Sequence, residues 1–108
     1  MISLQDFKRL DLRVGQIHAA EPIPGSHRLL KVQVDLGQEQ RTLVAGLAAY
    51  YAPQQLIGLK VIVVANLEPA PIHGVLSQGM MLGAGCSEGQ DVALLTVNKE
   101  VPNGTAVE

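Results

Sequence analysis

The stretch Lys60 to Met81, KVIVVANLEPAPIHGVLSQGMM, constrains this chain more than any other. Val61 to Ala65 is a short, apolar, β-branched run, which reads as a buried strand. Asn66 ends it with a side chain able to bond a backbone group or a ligand. Pro69, Pro71 and Gly74 then predict a loop without regular structure, and Gly79 to Ala84 predicts a second strand. The loop is longer than a turn requires, and long ordered loops often carry binding groups. A plain connection is the competing reading.

Leu30 to Leu36 gives the clearest alternation, with Leu30, Val32, Val34 and Leu36 toward a core and Lys31, Gln33 and Asp35 away from it. Gly37-Gln38-Glu39 turns the chain, and Gln40 to Ala45 returns as a third strand. Lys31 and Arg41 are therefore expected on the outer face of one hairpin. Upstream, Ile2 to Leu10 has helical spacing with a capping signal in Ser3 and Asp6. Leu12 to Ala20 reads as a strand whose apolar parity changes between Val14 and Ile17, which predicts a β-bulge beside Gly15. Glu21 to Ser26 is a loop, Gly46 to Gly58 a short helical connector, and Val92 to Thr96 a further strand. This order predicts an all-β, five-stranded Greek-key OB-fold barrel with short helices. Residues 1–108 make one domain, with about 91–108 left as a C-terminal extension that packs on the barrel or against a second copy.

At 108 residues, 47% hydrophobic and 17% charged, the chain has enough apolar content for one core. No apolar stretch approaches the roughly 20 residues of a membrane span, and residues 1–13 lack the pattern of a signal peptide. The lone Cys86 permits no internal disulfide and no Cys-based metal site. A cytoplasmic location is expected, and Met1 with a complete barrel favours a free-standing protein. The net charge of −2 argues against an indiscriminate nucleic-acid binder. The charge is uneven, however: residues 1–60 hold seven of the eight basic side chains, so that half must build any basic face.

Function classes narrow accordingly. The aromatics are Phe7, Tyr50 and Tyr51, none on an expected barrel strand, which disfavours single-strand binding by base stacking. His18, His27 and His73 show no metal-ligand spacing, and no metal or other cofactor is expected. Gly74-Val75-Leu76-Ser77-Gln78-Gly79 is not a nucleophile elbow, and Gly83-Ala84-Gly85-Cys86 is not a dinucleotide fingerprint. An enzyme is the poorest fit. Lys31 and Arg41 are either phosphate ligands or solvated charges near Asp35 and Glu39. Arg28, at the lip of the loop entering the second strand, has the same two readings.

Asp11-Leu12-Arg13-Val14-Gly15, Leu29-Leu30-Lys31-Val32, Arg41-Thr42-Leu43-Val44-Ala45-Gly46, Ala65-Asn66-Leu67-Glu68-Pro69 and Ser77-Gln78-Gly79-Met80 together resemble the tRNA-binding domain family. Its free-standing dimeric members and the C-terminal domain of methionyl-tRNA synthetase are the nearest in pattern. The resemblance implies a homodimer that recognises tRNA by shape near the outer corner of the L, catalyses nothing, and has an aminoacyl-tRNA synthetase as a further partner. It places Lys31, Arg41, Asn66, Ser77 and Met80 where the family's motifs carry tRNA contacts. Many relatives read Asn-Leu-Lys-Pro with another basic residue soon after, whereas Glu68 and Pro71 stand here. That exchange removes positive charge from the loop. The alternative is a protein-interaction, dimerisation or chaperone-like module that has lost tRNA binding.

Overall fold

The computed structural model describes residues 1–85 and 91–108, and Cys86 falls outside them. In chain order the elements are α1 (Leu4–Lys8), β1 (Leu12–Pro22), β2 (Leu30–Asp35), β3 (Gln40–Ala45), α2 (Pro53–Leu56) and β4 (Lys60–Val64). They continue with β5 (Ala70–Ile72), β6 (Val75–Ser77), β7 (Met80–Met81), β8 (Gly83–Ala84), β9 (Ala93–Leu94) and β10 (Ala106–Val107). Five antiparallel strands in the order β3-β2-β1-β4-β7 curl into a nearly closed barrel with the OB fold. Its interior is filled by Ile17, Leu30, Val32, Val34, Leu43, Leu56, Val61 and Val63, all almost fully buried. Each such side chain stabilises the fold by about 1.5–3 kcal/mol relative to exposure.

The change of parity in β1 has a different cause from the one expected. Pairing with β4 runs unbroken from Leu12↔Val64 to Gln16↔Lys60, so no bulge lies at Gly15. Instead, both faces of β1 and β4 are covered. Gly15, Ile17, Val61 and Val63 face the barrel, while Leu12, Val14, Ile62 and Val64 face outward and form a second cluster under Leu82, Val97, Val101 and Val107. The bulge lies farther on, where the pairing with β2 shifts between Ile17 and Ala19.

The C-terminal extension thus lies on its own barrel. β10 pairs with the start of β1, and the Val14 backbone exchanges bonds with Thr105 O at 2.9 Å and Gly104 N at 2.7 Å. Thr96 Oγ1 donates to Lys60 O at 2.7 Å, and the Lys60 ammonium meets both Val101 O and Glu100.

Residues 66–79 also depart from the expected irregular loop. β5 and β6 form a hairpin whose turn residues, His73 and Gly74, have φ of 48° and 79°. Two positive φ values in succession make the turn that matches strand twist. Pro71 is tolerated because the Ile72↔Val75 pair next to a two-residue turn is hydrogen-bonded. The following pair, Pro71↔Leu76, then needs no N–H.

The helices are shorter than their sequence windows. α1 is capped as expected, with Ser3 Oγ accepting from Asp6 N at 3.1 Å, yet none of its residues is buried. The 46–58 connector is helical only at α2. The strand expected over 79–84 is split between two sheets at Leu82, and that expected over 92–96 is reduced to β9.

Gly15 packs so closely on β2 that a Cβ would overlap Val34 Cγ1 and stand 2.9 Å from Leu36 Cδ2. Gly15→Ala should cost about 1–3 kcal/mol through overpacking. A urea melt with a lower midpoint and an unchanged slope is expected, and an unshifted midpoint would contradict this packing.

Candidate nucleic-acid interface

The six candidate residues divide into two groups. Arg41 and Lys31 sit on neighbouring strands but not on one face. Arg41 is opposite Val34, which is fully buried, whereas Lys31 is opposite Val44 and on the outside. Directly opposed residues share a face, so Arg41 points into the mouth of the barrel. There its Nη1 donates to Ala65 O at 2.7 Å and to Gln78 O at 3.0 Å, and its Nε meets the Glu39 carboxylate. Arg41 therefore ties together the two ends of the 66–79 segment.

Ser77 and Gln78 complete this closure. The buried Ser77 Oγ accepts the Val44 N–H at 3.0 Å and donates to Gly79 O at 3.3 Å. Gln78 Oε1 accepts the Thr42 N–H at 3.1 Å, while the Gln78 N–H donates to Thr42 O at 2.8 Å. Side-chain oxygens thus replace part of the backbone ladder between β3 and the β6–β7 segment. Asn66 acts similarly on the N-terminus: its Oδ1 accepts from Asp11 N at 2.8 Å, and its Nδ2 donates to Arg9 O at 2.7 Å.

Charge at this end of the barrel is balanced. Arg13 makes two bonds to Asp11, Nε–Oδ1 at 3.0 Å and Nη2–Oδ2 at 2.9 Å. Its pKa is raised above its already high range, first by the hydrogen bond to Asp11, then by the charge of Asp11, with Glu39 adding a smaller attraction. Two arginines and two carboxylates leave no net charge. Glu68 and Pro71 are exposed on the neighbouring hairpin segment and add no cation.

Arg28, Lys31 and Met80 are the accessible group. Arg28 and Met80 line a groove of about 660 Å3 with Val44, Gly46, Tyr50 and Val92. Lys31 stands on the outer face beside Val44, with its ammonium 3.7 Å from Glu21, its cross-strand partner. The groove residues Gly46 and Tyr50 were not singled out by the sequence as site residues. The signal available was the glycine that closes Arg41-Thr42-Leu43-Val44-Ala45-Gly46. His18, His27 and His73 are exposed on three separate segments, and among the described residues no cluster of three or more His, Cys, Asp or Glu is placed to hold a metal.

The sequence profile of the family described as "Putative tRNA binding domain" matches residues 12–106. This chain belongs to the tRNA-binding domain family. The domain is 50% identical over 106 residues to the methionine–tRNA ligase of Methanocaldococcus jannaschii, an alignment covering 98% of this chain and 16% of the ligase. It therefore spans about one-sixth of that relative's length. Solved structures also match it along nearly their whole length. The MetRS related protein from Pyrococcus horikoshii superposes with a TM-score of 0.92 at 39% identity, covering 100% of this chain and 98% of that one. The chaperone CsaA of Bacillus anthracis gives 0.89 at 34% identity, covering 100% and 99%.

Ser77→Ala leaves the Val44 N–H without its partner, and an unpaired buried donor costs about 1–3 kcal/mol. A denaturant melt of the domain should lose that amount of stability. A wild-type midpoint in the variant would remove Ser77 from the seam.

Proposed function

We propose that this domain is a homodimeric, non-catalytic module that binds tRNA by shape near the outer corner of the L. The observation that carries the reading is that Arg28 and Met80 line one groove of a tRNA-binding domain, with Lys31 accessible on the outer face opposite Val44, which also lines it. Arg28 and Lys31 would meet phosphates, and Met80, about half exposed, would supply an adaptable apolar contact. With Arg41 held by Glu39 and two carbonyls, few cations remain for phosphate. Affinity would then rest on the fit to folded tRNA, and its salt dependence would be shallow. The likeness to a methionine–tRNA ligase supports an aminoacyl-tRNA synthetase as a further partner.

The dimer contact belongs to α1 rather than to the tail. Val97, Val101 and Val107 are spent on the outer face of the barrel. Ile2, Leu4, Phe7 and Leu10 remain 74%, 66%, 37% and 43% exposed, and Leu67, next in sequence to the Asn66 that bonds the end of this segment, is 41% exposed. A five-residue helix has little stability of its own, and the Asn66 clasp fixes it where a second copy can cover it.

A protein-interaction or chaperone-like role is the second reading. It is favoured by the likeness to CsaA, described as a chaperone, and by the neutralised charge at Arg41. Filter binding separates the two, with folded tRNA expected to bind more tightly than a single strand of equal length. Absence of tRNA binding at low salt, with partner proteins still captured after Arg28→Ala and Lys31→Ala, would favour the second reading.

Arg28→Ala and Lys31→Ala should each lower the log–log salt slope of tRNA binding by about 0.7 to 0.9, the value of one phosphate contact; an unchanged slope removes that residue from the interface. Leu4→Glu combined with Phe7→Glu should reduce the solution mass from twice 11.5 kDa to that of one chain. Neither residue belongs to the core, so the fold should persist, and a double variant that stays dimeric would move the contact elsewhere.

A further inference from the structure

Gly46 has no structural requirement to be glycine. Of the nine glycines whose surroundings are described, it alone has neither a positive φ nor, apart from its chain neighbours, any atom of the described residues within 4 Å of where a Cβ would stand. A glycine without such a need weakens the fold through its extra unfolded-state freedom. What the missing side chain does accomplish is to keep open the groove beside Val44, Tyr50 and Met80. At about 660 Å3 that groove falls within the roughly 300–1,000 Å3 of small-molecule sites.

Its lining is mostly apolar, and Arg28 is the charged group among the described residues that form it. Arg28 is exposed and makes no ion pair among the described residues. Such a site suits a flat apolar group that carries an anion at one end. From this complementarity we infer that the groove receives one unstacked nucleobase of the bound RNA, lying against Gly46 between Tyr50 and Met80, with the adjoining phosphate on Arg28. Unstacked bases in loops are what proteins read in folded RNA, and contact with a base face is tolerant of sequence. An apolar peptide side chain would fill the same groove without using Arg28.

The inference rests on the tRNA reading above, and the test separates the two. Gly46→Leu places an isobutyl group in open space, so the fold should be kept while the groove is filled. Binding of tRNA should weaken about fivefold or more, the lower range of one base contact, with the salt slope unchanged because the phosphate contacts remain. Wild-type affinity in a folded Gly46→Leu domain would overturn the inference and leave the tRNA reading intact. Loss of all tRNA binding by the wild-type domain would overturn both.

A second measurement needs no variant. With methyl-13C methionine, the Met80 methyl signal should move upfield on adding tRNA, because a base ring shields a methyl against its face. Met1, outside the groove, serves as the control. A Met80 signal that does not move while tRNA binds would contradict base insertion. Perturbation by an apolar peptide and not by tRNA would assign the groove to the peptide instead.

Discussion

The barrel depends on a seam made by side chains. Between β3 and β7 the backbone ladder is incomplete, and Ser77, Gln78 and Arg41 supply the missing partners for Val44, Thr42, Ala65 and Gln78. Buried backbone groups without partners are costly, so an OB barrel whose last strand is only Met80–Met81 needs such a device. The seam fixes what surrounds it. It holds both ends of the 66–79 segment at the mouth of the barrel, leaves Met80 facing out, and sets the groove between β3 and β7.

This division changes the meaning of the family's motifs in this chain. Arg41, Asn66 and Ser77 stand in three of them, and each is bonded to the protein's own backbone. They build the surface that Arg28, Lys31 and Met80 present. The same economy applies to the two ends of the chain. The tail covers Leu12, Val14, Ile62 and Val64, completing the monomer's second apolar cluster, whereas α1 is capped, tethered and left bare.

Much of the fold was legible in the sequence. The alternation of Leu30–Leu36 placed one face in the core, and Ser3 capped α1 as its position predicts. What misled were residues whose partners are distant in sequence. The parity change in β1 read as a bulge because nothing near Gly15 shows that Val97, Val101 and Val107 cover the other face. Pro71 read as a breaker because its tolerance depends on where a two-residue turn sets the hydrogen-bonded pairs. Lys31 and Arg41 read as companions because the Val34↔Arg41 register cannot be seen in either strand alone. The sequence motifs offered the site as a set of positions without their geometry, and that Arg28 and Met80 share a groove with Gly46 and Tyr50 emerged only once the strands were in place.

The seam and the contact surface are separated most directly by amide hydrogen exchange at Thr42 and Val44, measured with and without tRNA. If Ser77 and Gln78 belong to the scaffold, both amides exchange slowly in the free domain, at rates close to those of the β2 core, and tRNA leaves them unchanged. Rapid exchange in the free domain that slows only on adding tRNA would mean that these side chains are free until RNA binds, and would contradict a seam that closes the barrel on its own.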